Sequence, residues 1–447
     1  MTGPELVAKV FQAGVVGAGG AGFPTHFKIK NRAEIVIANG AECEPLLQVD
    51  QQLLVRERRA ILRALQAVKE AVGATEAYLA LKPKYKEAVS ALEAVLPGYP
   101  GLTIKLLPDV YPAGDEQVLV YEVTGRVVPP GGVPLQVGVV VLNIETLVNV
   151  YAAMHDEPVT TKYVTVAGAV ARPITIQVPV GTPVKEVLDL AGGPQVEDFL
   201  VLDGGPMMGK PIAPEHDVVT KTTKGLLVLP ASHPLAAKKQ LTLARALGRT
   251  MAACCQCREC TDLCPRYLLG HPLEPHRTMR AVAYGITGDS RGITGAMLCS
   301  ECGLCELFAC TLELSPRQVN IAIKKELRRQ GYRPGRPGQQ PLVNPWRDGR
   351  QVPTGRLVAR LGLGDYNRKA PLTLELYRPR LVRLPLQQGS GVAATPLVKS
   401  GDRVARGQLI AAVPEEQIGA NLHASIDGTV QAVGEAIIIR AGEVGED

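Results

Sequence analysis

The spacing of apolar residues changes its period along the chain. Glu5 to Gln12 follows a helical pattern, with Pro4 near its first turn. An apolar run from Glu34 to Ala38 predicts a strand, and Val137 to Asn143 is a second run of strand length. Residues 162–193 alternate apolar and polar, first in Tyr163-Val-Thr-Val-Ala-Gly168 and then in Ile174-Thr-Ile-Gln-Val178. Pro183 to Ala191 reads as a helix ended by Gly192-Gly193. Alternation returns from Arg378 to Arg440, punctuated by glycine turns. Between Gln330 and Tyr377 there is little period and much Pro, Gly and Arg. That predicts a linker crossing a surface, anchored by Trp346, the only tryptophan. No window approaches the roughly 18 apolar residues of a membrane helix. Glu5 and Lys9 break up the N-terminal stretch, which argues against a signal peptide and for the cytoplasm.

With 447 residues, the chain should hold three or four such units. Its 46% apolar and 21% charged shares supply material for cores and exclude a mainly disordered chain. The net charge of +6 is small and spread out, densest from Lys324 to Arg336 and then at Arg347 and Arg350. Aromatic residues are only 4%, which is poor material for base stacking, so nucleic acid is not an expected partner. None of the seven histidines belongs to a hydrolase-like constellation.

Cysteine is where the chemistry concentrates. Nine of the ten cysteines lie between Cys254 and Cys310, in a chain where disulfides are not expected. Skipping Cys255, the first run is Cys254, Cys257, Cys260 and Cys264-Pro265, a C-x2-C-x2-C-x3-C-P pattern. The second run is Cys299, Cys302, Cys305 and Cys310, with one extra residue before its last cysteine. Thiolates at i, i+3 and i+6 hold three corners of a cubane, and in two-cluster ferredoxins the fourth cysteine of each run ligates the other cluster. This assigns Cys254, Cys257, Cys260 and Cys310 to one [4Fe–4S] cluster. It assigns Cys299, Cys302, Cys305 and Cys264 to a second, and requires residues 266–298 to fold back as a connector. Zinc sites favour paired C-x2-C runs with a long gap and often histidine, which two triple runs fit poorly. Cys255 is surplus and reads as a bystander.

A second concentration lies near the start. Gly14 to Phe27 holds five glycines in its first nine residues. Gly17, Gly19 and Gly22 match G-x-G-x-x-G, but the strand follows the loop instead of preceding it, which argues against a classical dinucleotide fold. Glycine does let backbone N–H groups approach a phosphate or a flat ring. Asn39-Gly-Ala-Glu42-Cys43-Glu44-Pro45 then ends the predicted strand with an amide and two carboxylates, as a binding edge or a polar loop would. Cys43 reads as a buried small hydrophobe.

The Gly17–Lys28 loop, the 39–45 segment and Val141-Leu-Asn143-Ile-Glu-Thr-Leu147, in this order, resemble the NADH-oxidising flavin subunit of respiratory complex I. They are closer to the C subunit of the Rnf complex and to the cobalamin reductase family of propanediol-using bacteria. The order of the whole chain favours the last, because the barrel-sandwich segment follows the clusters here and precedes the flavin domain in Rnf C subunits. The resemblance implies FMN contacts at Gly17, Gly19, Gly20, Gly22, Lys28, Asn39, Glu42, Asn143 and a second loop at Tyr111, Gly114 and Asp115. It implies NADH contacts at Phe23, Glu44 and Glu116. Cys43 and Ala41 depart from the serine and aspartate of complex I subunits. Val128-Pro129-Pro130-Gly131 departs from a stretch whose lysine and phenylalanine help seat NADH, so flavin binding is better supported than NADH binding.

The implied fold is multidomain α/β. It comprises a complex I flavin-subunit-like domain (1–155), a β-grasp SLBB domain (156–230), an α-helical two-[4Fe–4S] ferredoxin-like domain (238–330), a linker (331–376) and a β barrel-sandwich hybrid (377–447). The Asp427-Gly428 turn lacks the lysine of a carrier domain, so the barrel reads as docking or scaffold, as does the SLBB unit, and Met207 and Met208 read as packing. The implied function is electron transfer from NADH through FMN and two clusters to a corrinoid or a redox partner protein. An electron-input subunit of a larger reductase, such as a methylenetetrahydrofolate or proline reductase, is the alternative, and a scaffold with a vestigial flavin site is an alternative of another class. A homo- or hetero-oligomer is expected, free in the cytoplasm or within a bacterial microcompartment.

Overall fold

The computed structural model describes residues 1–286, 288–333, 341–373 and 375–442. Arg336, part of the 331–376 segment and the last five residues of 377–447 lie outside the described residues. The chain opens with α1 (Gly3–Gln12), started by a reciprocal cap in which Glu5 N–H donates to Thr2 and Thr2 N–H to Glu5. Then come α2 (Thr25–Ile29), β1 (Ile35–Gly40), α3 (Val49–Arg56), α4 (Arg58–Val72), β2 (Glu76–Leu81), α5 (Lys86–Glu93) and β3 (Leu102–Leu106). β4 (Val110–Tyr111), α6 (Glu116–Thr124), β5 (Val139–Asn143) and α7 (Ile144–Met154) complete the first unit. In α4, Ile61, Leu62, Leu65, Val68 and Val72 share one buried face, and Gly73, at φ 70°, ends the helix in the left-handed region.

Four strands form a parallel sheet in the order β3-β2-β1-β5. Covered on both faces, β1 and β5 read as continuous apolar runs instead of alternating ones. The chain winds outward from β1 to β3 and returns on the other side of β1. Loops at such a reversal part company and leave a crevice at the carboxyl ends of the strands. Asn39 and Asn143 are register partners at those two ends. The glycine loop precedes β1, as its place in the sequence dictates, yet packs at the same end, with Ala18 N–H donating to Thr146 Oγ1 at 3.0 Å.

The second unit has β6 (Thr161–Gly168), β7 (Ile174–Pro179), α8 (Val184–Leu190), β8 (Phe199–Asp203), β9 (Lys210–Ile212) and β10 (Gly225–Pro230). Its sheet runs β7-β6-β10-β8-β9, with α8 packed against the apolar face of the central strands. The cysteine-bearing unit is helical: α9 (Pro234–Lys239), α10 (Leu243–Ala253), α11 (Glu259–Asp262), α12 (Pro265–Leu268), α13 (Pro275–Tyr284), α14 (Ser290–Thr294) and α15 (Pro316–Arg329). α13 packs against both α10 and α15, so the connector folds back and sets the two cysteine runs side by side.

The stretch expected to be a surface linker is a clamp where it is described. β11 (Val352–Pro353) pairs with β4, and α16 (Thr354–Arg360) buries Leu357 and Val358. Trp346 is 71% exposed and anchors nothing. The anchor is its neighbour Arg347, buried, paired with Glu122 and stacked over Tyr121 at 4.7 Å. Arginine does this because its flat cation can stack and pair at once. Farther on, Arg368 donates to the carbonyls of Gly168 and Val170, and Gln48 is bonded to both Arg368 and Ala370.

The last unit is two small facing sheets. One holds β12 (Leu381–Pro385), β14 (Arg403–Val404), β17 (Gly428–Val433) and β18 (Ala436–Ala441), and the other β13 (Thr395–Pro396), β15 (Leu409–Ala412) and β16 (Leu422–His423). It docks on the glycine loop, where Ser390 Oγ donates to Ala21 O at 2.8 Å. Among the described residues no helix is long and apolar enough to cross a membrane.

Candidate functional site

The glycine loop packs at the carboxyl ends of β1 and β5, where this topology leaves a crevice. Gly17 N–H donates to Phe23 O, which closes the loop at its base. Gly19 and Gly20 are exposed at the tip. A Cβ on Gly19 would come within 2.9 Å of the Asn143 amide, whereas Gly20 has open space around it. Gly22 sits at φ 65°, pressed between Thr222 and the backbone of Gly389, so it serves the docking of the barrel. Lys28 reaches from α2 to the Val141 carbonyl (3.1 Å) and to Glu116 at the start of α6 (2.5 Å). Asn39 donates to Gly114 O at 2.9 Å, tying the second expected loop to the end of β1. Asn143 caps α7 through its oxygen and donates its amide to Asp50. Phe23 lies half-buried at the loop's end, its ring 6.2 Å from Phe27.

The structure thus gathers Gly17, Gly19, Gly20, Lys28, Asn39, Gly114, Glu116 and Asn143 around one crevice. Other expected contacts are turned away from it. Glu42 is buried and accepts from the N–H groups of Asp50 and Gln51 at the start of α3. Burial, with the Asp50 carboxylate beside it, pushes Glu42 up to about 7, while Lys224 pulls it back. Glu42 also holds φ 36°, a left-handed conformation enforced by that inward cap. Glu44 accepts from Met207 N–H (2.8 Å) and Met208 N–H (2.7 Å) in the second unit, and burial raises its pKa. Asp115 caps α6, and Tyr111 points its hydroxyl out of the flavin unit. These side chains hold the crevice loops instead of opening into the crevice.

Sequence reasoning missed what supports this site. Asp50, buried, pairs with Lys224 and receives Asn143, and Glu145 pairs with Lys162 in full burial. Lys162 also donates to Ala18 O in the glycine loop. Glu145 lies inside the 141–147 motif, so a charged residue amid buried positions was the available signal. Lys224 and Lys162 carry none, because their importance arises only when two units meet.

The cysteines gather in two hollows. Cys254, Cys257, Cys260 and Cys310, with Cys255 beside them, line one. Cys264, Cys299, Cys302 and Cys305 line the other. Both loops are wound the same way: Gln256 and Glu301, each preceding the second cysteine, sit at φ 57° and 62°, and Arg258 and Gly303, each following it, at 71° and 83°. Two left-handed residues per loop wind the chain so that its three successive cysteines line one hollow. The extra residue before Cys310 is taken up by a wide π-type turn over Cys305–Ala309. Among the described residues no three His, Cys, Asp or Glu converge as ligands of a single ion; the thiols stand around hollows instead. Burial first, and neighbouring thiols after it, push Cys260, Cys264 and Cys302 up to about 12. Four thiols so placed become thiolates only around a strongly positive centre, and an iron–sulfur cluster supplies one.

The second hollow is fastened to the flavin unit. Tyr111 Oη donates to Cys302 O at 2.6 Å, and Arg266, two residues after Cys264, grips Asp115 through two bonds of 2.6 and 2.9 Å. Lys239 donates to the carbonyls of Met207 and Gly209, and the Met207 carbonyl faces Gly303 so closely that a Cβ there would lie 3.2 Å away. Met207 is fully buried and Met208 is 45% exposed.

Four family profiles match successive parts of the chain. These are the Nuo51 FMN-binding domain over residues 10–152, the SLBB domain over 163–211, the 4Fe-4S dicluster domain over 253–315 and the RnfC barrel sandwich hybrid domain over 367–445. Cobalamin reductase PduS of Salmonella typhimurium is 46% identical over 442 residues, covering 98% of this chain and 96% of that protein. The chain belongs to the cobalamin reductase PduS family. Its namesake from Citrobacter freundii is 45% identical over 96% of this chain and 95% of its own length. One component of the Na(+)-translocating ferredoxin:NAD(+) oxidoreductase complex of Acetobacterium woodii is 32% identical over 60% of this chain and 59% of its own. A member of this family is a flavo-iron–sulfur oxidoreductase carrying FMN and two [4Fe–4S] clusters. The residues present fit both groups: an exposed glycine tip with open space at Gly20, close to Asn143, and a quartet of thiols around each hollow.

Proposed function

We propose that the chain oxidises NADH in the crevice and delivers single electrons to a corrinoid from the first hollow. Gly17, Gly19, Gly20, Lys28, Asn39, Gly114 and Asn143 would hold the FMN. Cys264, Cys299, Cys302 and Cys305 would hold one cluster, and Cys254, Cys257, Cys260 and Cys310 the other. Bound FMN supplies the conversion of a two-electron hydride into single electrons, which clusters carry one at a time. The residues supply position and charge. Lys28 offers a cation at the crevice, and its pairing with Glu116 fixes it there. Phe23 and Glu116 are the residues left to meet NADH, since Glu44 is committed to Met207 and Met208.

One observation carries this reading. The segment from Tyr111 to Glu116 meets the flavin-site residues at Gly114 and Glu116, and is bonded to Cys302 of the second hollow through Tyr111 and to Arg266, two residues past Cys264, through Asp115. A single short loop therefore joins the two sites, which supports the second hollow as the receiving one. The first hollow, with Cys255 and Cys257 exposed, is the delivering one.

The test is an anaerobic titration of the reconstituted chain with NADH, followed by cob(III)alamin. Bleaching of flavin and cluster absorbance, then recovery on adding cob(III)alamin, is expected. If dithionite bleaches both and NADH neither, the change at Val128–Gly131 has removed the nicotinamide site. Val128 is buried there, with its carbonyl accepting from His271 of the cluster unit. The second reading, an input subunit of a larger reductase, rests on the Acetobacterium relative being part of a complex. Bleaching without recovery, and co-purification with other chains, would favour it. The reading places the chain in the cytoplasm, free or enclosed in a microcompartment with a corrinoid enzyme, which fractionation of the native cells distinguishes.

A further inference from the structure

We infer that the Asn320 side chain donates an N–H to the cluster held by Cys264, Cys299, Cys302 and Cys305 and raises its reduction potential. The inference rests on the reading that this quartet holds a cluster. Asn320 lies on α15, is fully buried, and has neither Nδ2 nor Oδ1 bonded to any protein atom. A buried amide left without partners costs about 1–3 kcal/mol per unsatisfied group, so a position like this calls for a partner that the protein atoms do not include. Asn320 lines the second hollow together with the four thiols and Arg317. Ser315, Gln318 and Glu306 also have buried unpartnered atoms nearby in sequence, but none of them lines that hollow. In the first hollow the same helix contributes Pro316, which has no donor.

The partner that suits is a cluster sulfide or ligand sulfur. These atoms accept hydrogen bonds and become more negative on reduction. A donor aimed at them therefore stabilises the reduced state more than the oxidised one, and the potential rises. Arg317 acts in the same sense through its charge, while its Nε–H is already given to the Glu301 carbonyl. Asn320 is thus a tuning residue that ligates nothing. With its potential raised, the second cluster draws electrons from the flavin side.

The test is a redox titration followed by electron paramagnetic resonance, on the full chain reconstituted anaerobically, comparing wild type with Asn320→Leu and Asn320→Asp. Asn320→Leu keeps the branched shape, in a larger side chain, and removes the donor. With iron content unchanged, one cluster's reduction equilibrium should shift about tenfold toward the oxidised form, about 59 mV for one electron, and the other should stay put. Asn320→Asp should shift it further only where the pH is high enough to ionise the new carboxyl, because burial beside an anionic cluster favours its protonated form. Unmoved potentials at full iron content would overturn the inference. Should the variants lose iron, wild-type protein labelled with 15N in its asparagine side chains decides the matter. A 15N hyperfine coupling on the reduced second cluster is expected, and its absence overturns the inference, because no other asparagine lines the hollow. A Cys264→Ser control shows which signal belongs to that quartet. Neither readout uses NADH or a corrinoid, so failure here is separate from failure of the proposed reaction.

Discussion

The two cysteine hollows share a backbone and differ in everything around it. Each is built by three thiols on a loop with left-handed residues at matching places, completed by the last cysteine of the other run. Around the first, Cys255 and Cys257 are exposed, and no bond among the described residues joins its cysteine loop to the flavin unit. Around the second, Cys264, Cys302 and Cys305 are buried, and the flavin unit reaches in through Tyr111 and Asp115. The cysteine spacing sets the chemistry of both hollows. The surroundings set their order in a relay, and those come from other parts of the chain.

The largest break in this comparison removes one quartet at a time. Cys264→Ser should lower iron from about eight to about four atoms per chain and leave flavin in place. NADH should then bleach the flavin and fail to reduce the remaining cluster. Cys257→Ser should lose a similar amount of iron yet leave a cluster that NADH still reduces. Iron analysis and absorbance after NADH addition check both, and the reverse pattern would reverse the proposed order.

Next come the ion pairs beside each hollow. Arg266→Ala leaves Asp115 largely buried without its partner, and removing one member of such a pair costs about 3–5 kcal/mol. The matching change at the first hollow, Arg258→Ala, breaks a more exposed pair with Asp262 and should cost about 0–1 kcal/mol. Denaturant midpoints of the two variants should differ accordingly. Equal midpoints would mean that the second hollow is not fastened to the flavin unit through Arg266. Smaller again is Tyr111→Phe. Losing one buried hydrogen bond to Cys302 O should cost about 1 kcal/mol, keep iron and flavin, and slow cluster reduction in stopped-flow traces with NADH.

The gathering of the cysteines around two hollows could be read from spacing, because a cubane imposes a fixed geometry on any chain that ligates it. The strands at Ile35–Gly40 and Val139–Asn143 were legible because parallel buried strands leave apolar runs. The order of the sheet was not, since pairing depends on how α3, α4 and α7 cover it. Glu42 and Glu44 show the limit at the crevice. The sequence places two carboxylates at a strand end, but whether they face a ligand or cap α3 and the 207–208 backbone depends on contacts across 163 residues or more in the case of Glu44. The clamp at 341–373 failed to register for a related reason. Its anchors are arginines and short strands that bury themselves only against distant units, and Trp346, the residue that hydrophobicity singles out, stays in solvent.

The smallest expected effect belongs to Cys255. Laid over the second loop, it falls on Ser300, the residue after the first cysteine of that run. Its side chain lies against the first hollow, next to Cys257, and is exposed. If the two loops are equivalent, Cys255→Ser simply makes the first resemble the second. Iron content, the resonance of both clusters and NADH-driven bleaching should all match wild type, while an alkylating reagent applied anaerobically to the loaded protein should lose one site of modification. The contrary result is equally specific. Loss of about four irons in this variant would mean that Cys255 ligates in place of Cys254 or Cys257. The first loop would then hold its cluster with a register shifted from the second, and the shared backbone would no longer imply a shared set of ligands.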